Sequence, residues 1–159
     1  MRYTKQRTLS ECGPRAIYNA FVWAGRNPVS MEKLKLQCKT TRYGTSDYNV
    51  GLVLRRYFSV KRITLAQLMK LKEGEAVLLS YCRKEGSELS GHFVFIEKKE
   101  DDQFLIVNHI SHKNFDTVTK DTGYLFETTK KVSSKFLKRF LKPQKINGYY
   151  HPVEIMKVK

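Results

Sequence analysis

No apolar run in this 159-residue chain can cross a bilayer. The longest, such as residues 76–79, fall far short of the roughly 20 residues that a spanning helix needs. The first six residues, Met1-Arg2-Tyr3-Thr4-Lys5-Gln6, hold no apolar core of the kind a secretion signal requires, which points to a protein kept in the cytoplasm. Cysteine is scarce as well. Cys12, Cys38 and Cys82 are odd in number and show no C-x-x-C spacing, which speaks against a disulfide framework and against a structural zinc site. A reducing compartment would keep a reactive thiol available. Acidic side chains are the third shortage: 15 Asp and Glu face 30 Lys and Arg, for a net charge of +15. Such a field attracts polyanions, either nucleic acid or an acidic protein, or serves solubility alone. Repeats, linkers and low-complexity tracts are also missing, so one domain over residues 1–159 is expected.

What is present suffices for a core. Apolar residues make up 41% of the chain, with nine Phe, nine Tyr and one Trp, which excludes a disordered tail. Residues 11–25 read as a helix buried on most sides, with Ser10 as N-cap, Pro14 in the first turn and Gly25 as stop. Ser30 caps a short helix through Met31, Leu34 and Leu36. A turn-rich loop over residues 40–47 follows, and Asp47 caps a third helix carrying Val50, Leu54 and Phe58. Residues 60–65 suggest a short strand, and residues 65–71 a helical turn closed near Gly74. After Gly74 the pattern changes. Residues 75–82 form a compact apolar strand, residues 83–91 a polar loop, and residues 92–98 and 103–108 a hairpin. Tyr124-Leu125-Phe126 could add a strand, Ser133 or Ser134 starts a basic helix that Pro143 stops, and residues 149–158 close the chain as a strand. Helices first and strands second make an α+β domain, helical over about residues 1–72 and sheet over about residues 73–159.

Four positions carry chemistry in combination. Cys12 falls at the mouth of the first helix, where unpaired N–H groups and the helix dipole favour a thiolate. Gly13 beside it allows close approach of a substrate backbone, as does Gly91 next to His92. His92 and Asn108 stand at the two ends of the expected hairpin, so an amide oxygen of Asn108 can hold one imidazole nitrogen while the other faces the thiol. Gln6, six residues before Cys12, can donate to the oxyanion of a tetrahedral intermediate together with the Cys12 backbone N–H. His109 and His112 read as exposed polar residues.

The stretch QRTLSECGPRAIYNAFVWAG resembles the nucleophile segment of the bacteriocin-processing, double-glycine leader cysteine peptidases. YGTSDYNVGLVLRRYF is similar to their Gly-Thr-Ser loop and following helix, and GHFVFIEKKEDDQFLIVN to their His-bearing strand and its return strand. The likeness covers about residues 6 to 110. It implies a papain-like fold, a thiolate–imidazolium pair, no cofactor or metal, and hydrolysis of a peptide bond, such as one of Gly-Gly type, through an acyl-enzyme. It assigns Cys12 as nucleophile, His92 as base, Asn108 as its orienting partner and Gln6 as oxyanion donor. The family commonly ends the return strand in Asp-Pro, whereas this chain has Asn108-His109, and these 159 residues contain no transporter-like segment. The same four residues also suit acyl transfer, deamidation or isopeptide cleavage. A separate alternative is a catalytically inactive binding module for nucleic acid or an acidic protein, using the basic segment Lys130, Lys131, Lys135, Lys138, Arg139 and Lys142.

Overall fold

Caps and stops written in the sequence fix most helix ends. A computed structural model describes residues 2–8, 10–85, 88–110, 126–142, 144–146, 149–151 and 153–159. Helix α1 (Cys12–Trp23) has Glu11 at its N-cap, without a side-chain cap bond, in place of the expected Ser10. It ends at Gly25, whose φ of +65° only glycine adopts freely. Arg26 N–H bonds Phe21 O and Gly25 N–H bonds Val22 O, which closes the helix in a Schellman turn. Ser30 caps α2 (Met31–Gln37) by accepting from Lys33 N–H at 3.3 Å. Helix α3 (Asp47–Tyr57) is capped by Ser46, one residue before the expected Asp47. Strand β1 (Val60–Arg62) leads to the short helix α4 (Leu65–Met69), which Thr64 and Gln67 close with a reciprocal capping box.

The remaining elements are mostly sheet. They are β2 (Ala76–Glu85), β3 (Glu88–Lys98), β4 (Gln103–Ile110), β5 (Phe126–Ser133), helix α5 (Ser134–Phe140), β6 (Gln144–Ile146), β7 (Tyr149–His151) and β8 (Glu154–Val158). Six strands form an antiparallel sheet in the order β1-β8-β2-β3-β4-β5, while β6 and β7 pair separately. Among the described residues no helix is long and apolar enough to cross a membrane.

The structure corrects the sequence reading in three places. The polar loop expected over residues 83–91 is largely strand, because the β2–β3 ladder continues through Cys82↔Gly91 to Glu85↔Glu88. Cross-strand pairing there overrides weak local propensity. His92 therefore lies inside β3 rather than at its start. The basic helix starts where the sequence placed it, at Ser134 with Ser133 accepting from Phe136 N–H at 3.2 Å, while Lys130 and Lys131 before it belong to β5. The closing strand is split, β7 pairing with β6 and β8 with both β1 and β2. Tyr124, Leu125 and Pro143 lie outside the described residues.

Period-two alternation divides the core between the two faces of the sheet. Leu78, Phe93, Phe95, Val107 and Met156 turn to one face and pack with Ile17, Phe21 and Leu54 of α1 and α3. Leu79, Tyr81, Val94, Ile96 and Ile106 turn to the other, against Leu68 of α4 and Leu137 and Leu141 around α5. The domain is α+β with helices packed on an antiparallel sheet, as its composition by segment suggested. Helices cover both faces.

Candidate active site

The β3–β4 ladder ends at Phe95↔Val107, although both strands continue beyond it. Strand β4 stays with β5 as far as Ile110↔Phe126, so β3 and β4 part company, and the sheet forks. Cys12 is set at this fork by α1, whose first turn lies on Phe93. Its sulfur, only 6% exposed, receives the backbone N–H of Phe93, the residue that follows His92 in the chain. Burial pushes the thiol above its ordinary value. The N–H groups of Phe93, Gly13 and Cys12 itself pull it down, and the nearby Asp47 carboxylate pushes it up, with a net rise. The helix-mouth effect expected from the sequence is thus present but outweighed by desolvation.

His92 is buried, and by alternation its ring belongs with the α5 face, where it stands edge-on to Tyr81 at 5.7 Å. Across the fork His92 Nε2 lies 2.8 Å from the backbone oxygen of Asn108. A carbonyl can only accept, so Nε2 carries the hydrogen, and Nδ1 is the basic nitrogen of the neutral ring. The expected partner residue is therefore present, but its main chain rather than its side chain makes this contact. The reason is conformational. Asn108 has a φ of +65°, a left-handed conformation that Asn tolerates, and the resulting kink turns its side chain toward the N-terminal segment. There Gln6 N–H donates to Asn108 Oδ1 at 2.9 Å, and Asn108 Nδ2 donates to Gln6 Oε1 at 2.7 Å. The Gln6 side-chain nitrogen donates to Thr8 O at 2.9 Å, so in this state it serves the loop.

Gly13 is also required by the fold itself. A Cβ there would lie 2.7 Å from Val50 Cγ2 and 3.3 Å from Thr45 Cβ, so the protein's own α3 segment makes the close approach. Gly91 is exposed and would have nothing within 4 Å of an added Cβ. His109 is also corrected: it is buried, with its ring 5.2 Å from that of Phe140. His112 lies outside the described residues.

Sequence reading missed Glu11. It is buried beside Cys12, forms ion pairs with Arg15 and Lys35 at 3.1 Å each, and accepts from Arg7 N–H. Burial pushes its carboxyl up, but Arg7 N–H, Lys35 and Arg15 outweigh this and hold it below the usual carboxylate range. The spacing Glu11-x-x-x-Arg15 is the one signal that could have found it, as an i,i+4 pair. Asp47 was read only as a cap. Its Oδ1 accepts from Ser80 Oγ at 2.8 Å, and Ser80 is the β2 partner of Phe93.

Lys131, Lys135, Lys138, Arg139 and Lys142 are exposed on β5, on α5 and just past it, and Lys130 stacks over Phe136. Among the described residues β5 is a sheet edge, where lysines such as Lys130 and Lys131 deter pairing with other chains. Among the described residues no group of three or more His, Cys, Asp or Glu is set to hold a metal ion.

Solved structures share this fold along nearly the whole chain. The peptidase domain of Streptococcus ComA, a bi-functional ABC transporter involved in quorum sensing, superposes with a TM-score of 0.59 at 15% identity, covering 99% of this chain and 97% of that one. A double-glycine motif protease from an AMS/PCAT transporter, solved in complex with the leader peptide, superposes with a TM-score of 0.57 at 17% identity, covering 99% and 91%. No protein-family model matches the chain. No curated protein matches it.

Proposed function

We propose that this chain is a cysteine peptidase that cuts a peptide bond, of the double-glycine type, through an acyl-enzyme on Cys12. The observation that carries the reading is the bond across the sheet fork between His92 Nε2 and Asn108 O, beside a sulfur held by the N–H of Phe93. That bond makes Nδ1 the basic ring nitrogen, on a strand position adjacent to the thiol's own donor. A shared fold with two peptidase domains supports the same reading.

At rest the thiol keeps its proton, because burial disfavours the thiolate. As the sulfur attacks the scissile carbonyl carbon, its proton passes to His92 Nδ1. The carbonyl oxygen becomes an oxyanion, bonded by Cys12 N–H and by a Gln6 side chain that exchanges Thr8 O for it. Collapse breaks the C–N bond, and His92 returns the proton to the leaving amine. Water then adds to the thioester with His92 as base, releasing the acid and restoring the thiol. Asn108 acts on His92 through its carbonyl and on Gln6 through its amide, so one residue aligns both the base and the oxyanion donor.

The test is labelling by a peptide aldehyde or chloromethyl ketone, resolved by site through mass spectrometry. Adduct should form on Cys12, and Cys12→Ala should fold normally and lose it. His92→Ala should slow both adduct formation and peptide hydrolysis by about 10²–10⁴-fold. Adduct on Cys82 alone, or undiminished turnover in Cys12→Ala, would sink the proposal.

A further inference from the structure

Residues 2–8 belong to no helix or strand, so side-chain clamps rather than a ladder must place Gln6. The amide on each side of Gln6 is held by a buried side chain. Asn108 Oδ1 accepts the Gln6 N–H at 2.9 Å, and Glu11 Oε1 accepts the Arg7 N–H, which belongs to the next peptide along. Glu11 is only 2% exposed, and Arg15 Nη2 and Lys35 Nζ, each at 3.1 Å, help keep its carboxyl ionised. A charged acceptor holds an N–H about twice as strongly as a neutral one. Arg15 also grips the incoming segment, donating from Nη1 to Thr4 Oγ1 at 2.9 Å. Glu11 governs the second oxyanion donor too. The Cys12 N–H lies in the Glu11–Cys12 peptide, whose carbonyl accepts the Arg15 N–H at 2.9 Å. At rest the Gln6 side chain donates to Thr8 O at 2.9 Å, and Thr8 O also receives the Glu11 N–H at 3.5 Å. The Gln6 amide can therefore leave without orphaning that oxygen.

We propose that Glu11 is a positioning residue for the oxyanion site: by holding the Arg7 N–H it sets the Gln6 side chain beside the Cys12 N–H, so that both donors converge on one oxygen. The inference rests on the peptidase reading and adds to it a residue that acts through Gln6 rather than on the sulfur. A donor misplaced by about 1 Å can cost about 10²-fold in rate, so the clamp matters to turnover as well as to the fold.

Two probes separate this role from a merely structural one. A peptide aldehyde adds the thiol to form a hemithioacetal whose oxygen occupies the oxyanion site, whereas iodoacetamide alkylates the sulfur by displacing iodide and makes no oxyanion. Glu11→Gln keeps an acceptor of similar shape without its charge, and Glu11→Asp keeps the charge on a shorter arm. Both should weaken aldehyde binding and lower kcat by about 10–10²-fold at little-changed KM, with alkylation of Cys12 within about twofold of the parent. In a Gln6→Ala background, Glu11→Gln should add little further loss. Lys35→Met leaves the bond to Arg7 in place and should bind the aldehyde as the parent does. A chain with an ester in place of the Gln6–Arg7 amide, joined by ligation at Cys12, loses only the N–H and should reproduce the selective loss even if the Glu11 variants fail to fold. Parallel losses with both probes, parental aldehyde affinity in the ester chain, a loss in Lys35→Met equal to that of Glu11→Gln, or additive losses in the double variant would overturn the inference while leaving the peptidase reading intact. A parent chain that neither hydrolyses peptides nor binds the aldehyde would remove both.

Discussion

At the scale of single residues, Asn108 has the most to lose. Its left-handed backbone costs an ordinary L-residue about 1–2 kcal/mol, and its side chain makes two buried hydrogen bonds to Gln6. Asn108→Ala should therefore destabilise the chain by about 3 kcal/mol, whereas Asn108→Gly should cost about half as much, since glycine keeps the conformation and the carbonyl. Urea unfolding of the two variants measures the difference. If Asn108→Gly retains peptidase activity that Asn108→Ala loses, the carbonyl rather than the amide orients His92. The sequence made Asn108 legible as a strand-end partner for His92. Which of its atoms makes contact was not legible, because that depends on one φ angle. The raised thiol was equally hidden: a helix mouth shows in the sequence, but the depth to which it is buried does not.

At the scale of elements, capping chemistry translated well and pairing did not. Ser30 and Gly25 bound helices through contacts within four or five residues, as read from local sequence, whereas Ser10 and Asp47 each fell one residue from the true cap and the Thr64–Gln67 box went unread. Thr64→Ala should cost about 1 kcal/mol, seen as a lowered unfolding midpoint. The extension of β2 and β3 through residues 83–85 and 88–91, and the polar edge strand β5, depend on partners elsewhere in the chain, and their own residues carry weak strand signals. The seating of α1 on α3 follows from Gly13, where a methyl group would lie 2.7 Å from Val50. Gly13→Ala should cost about 1–3 kcal/mol and reduce activity by shifting the thiol. Adding Val50→Ala should restore much of both, which a double-mutant cycle on unfolding and turnover reads directly.

At the scale of the whole molecule, desolvation raises all three thiols, Cys12 and Cys38 within the core and Cys82 half-buried near Asp47. Burial pushes Cys38 from an ordinary 9.0 up to about 12, with Arg56 opposing, and pushes Cys12 and Cys82 upward as well. Folded thiols with raised values contribute stability that is complete below about pH 9 and is lost as pH climbs toward 12. Stability should thus fall steeply over that window, and Cys38→Ala, although less stable at neutral pH, should show a shallower decline in denaturant midpoints. The surplus of cations is a further global property. Self-repulsion among 30 basic side chains predicts a rising unfolding temperature from low to moderate salt, and a flat response would assign their charge to paired positions. The fork between β3 and β4 has one more outcome. Burial at the fork keeps the Cys12 sulfur protonated, and a protonated, enclosed sulfur reacts slowly with peroxide. The protein can wait in an oxidising episode without forfeiting its reactive centre, and reactivity arrives with the occupant.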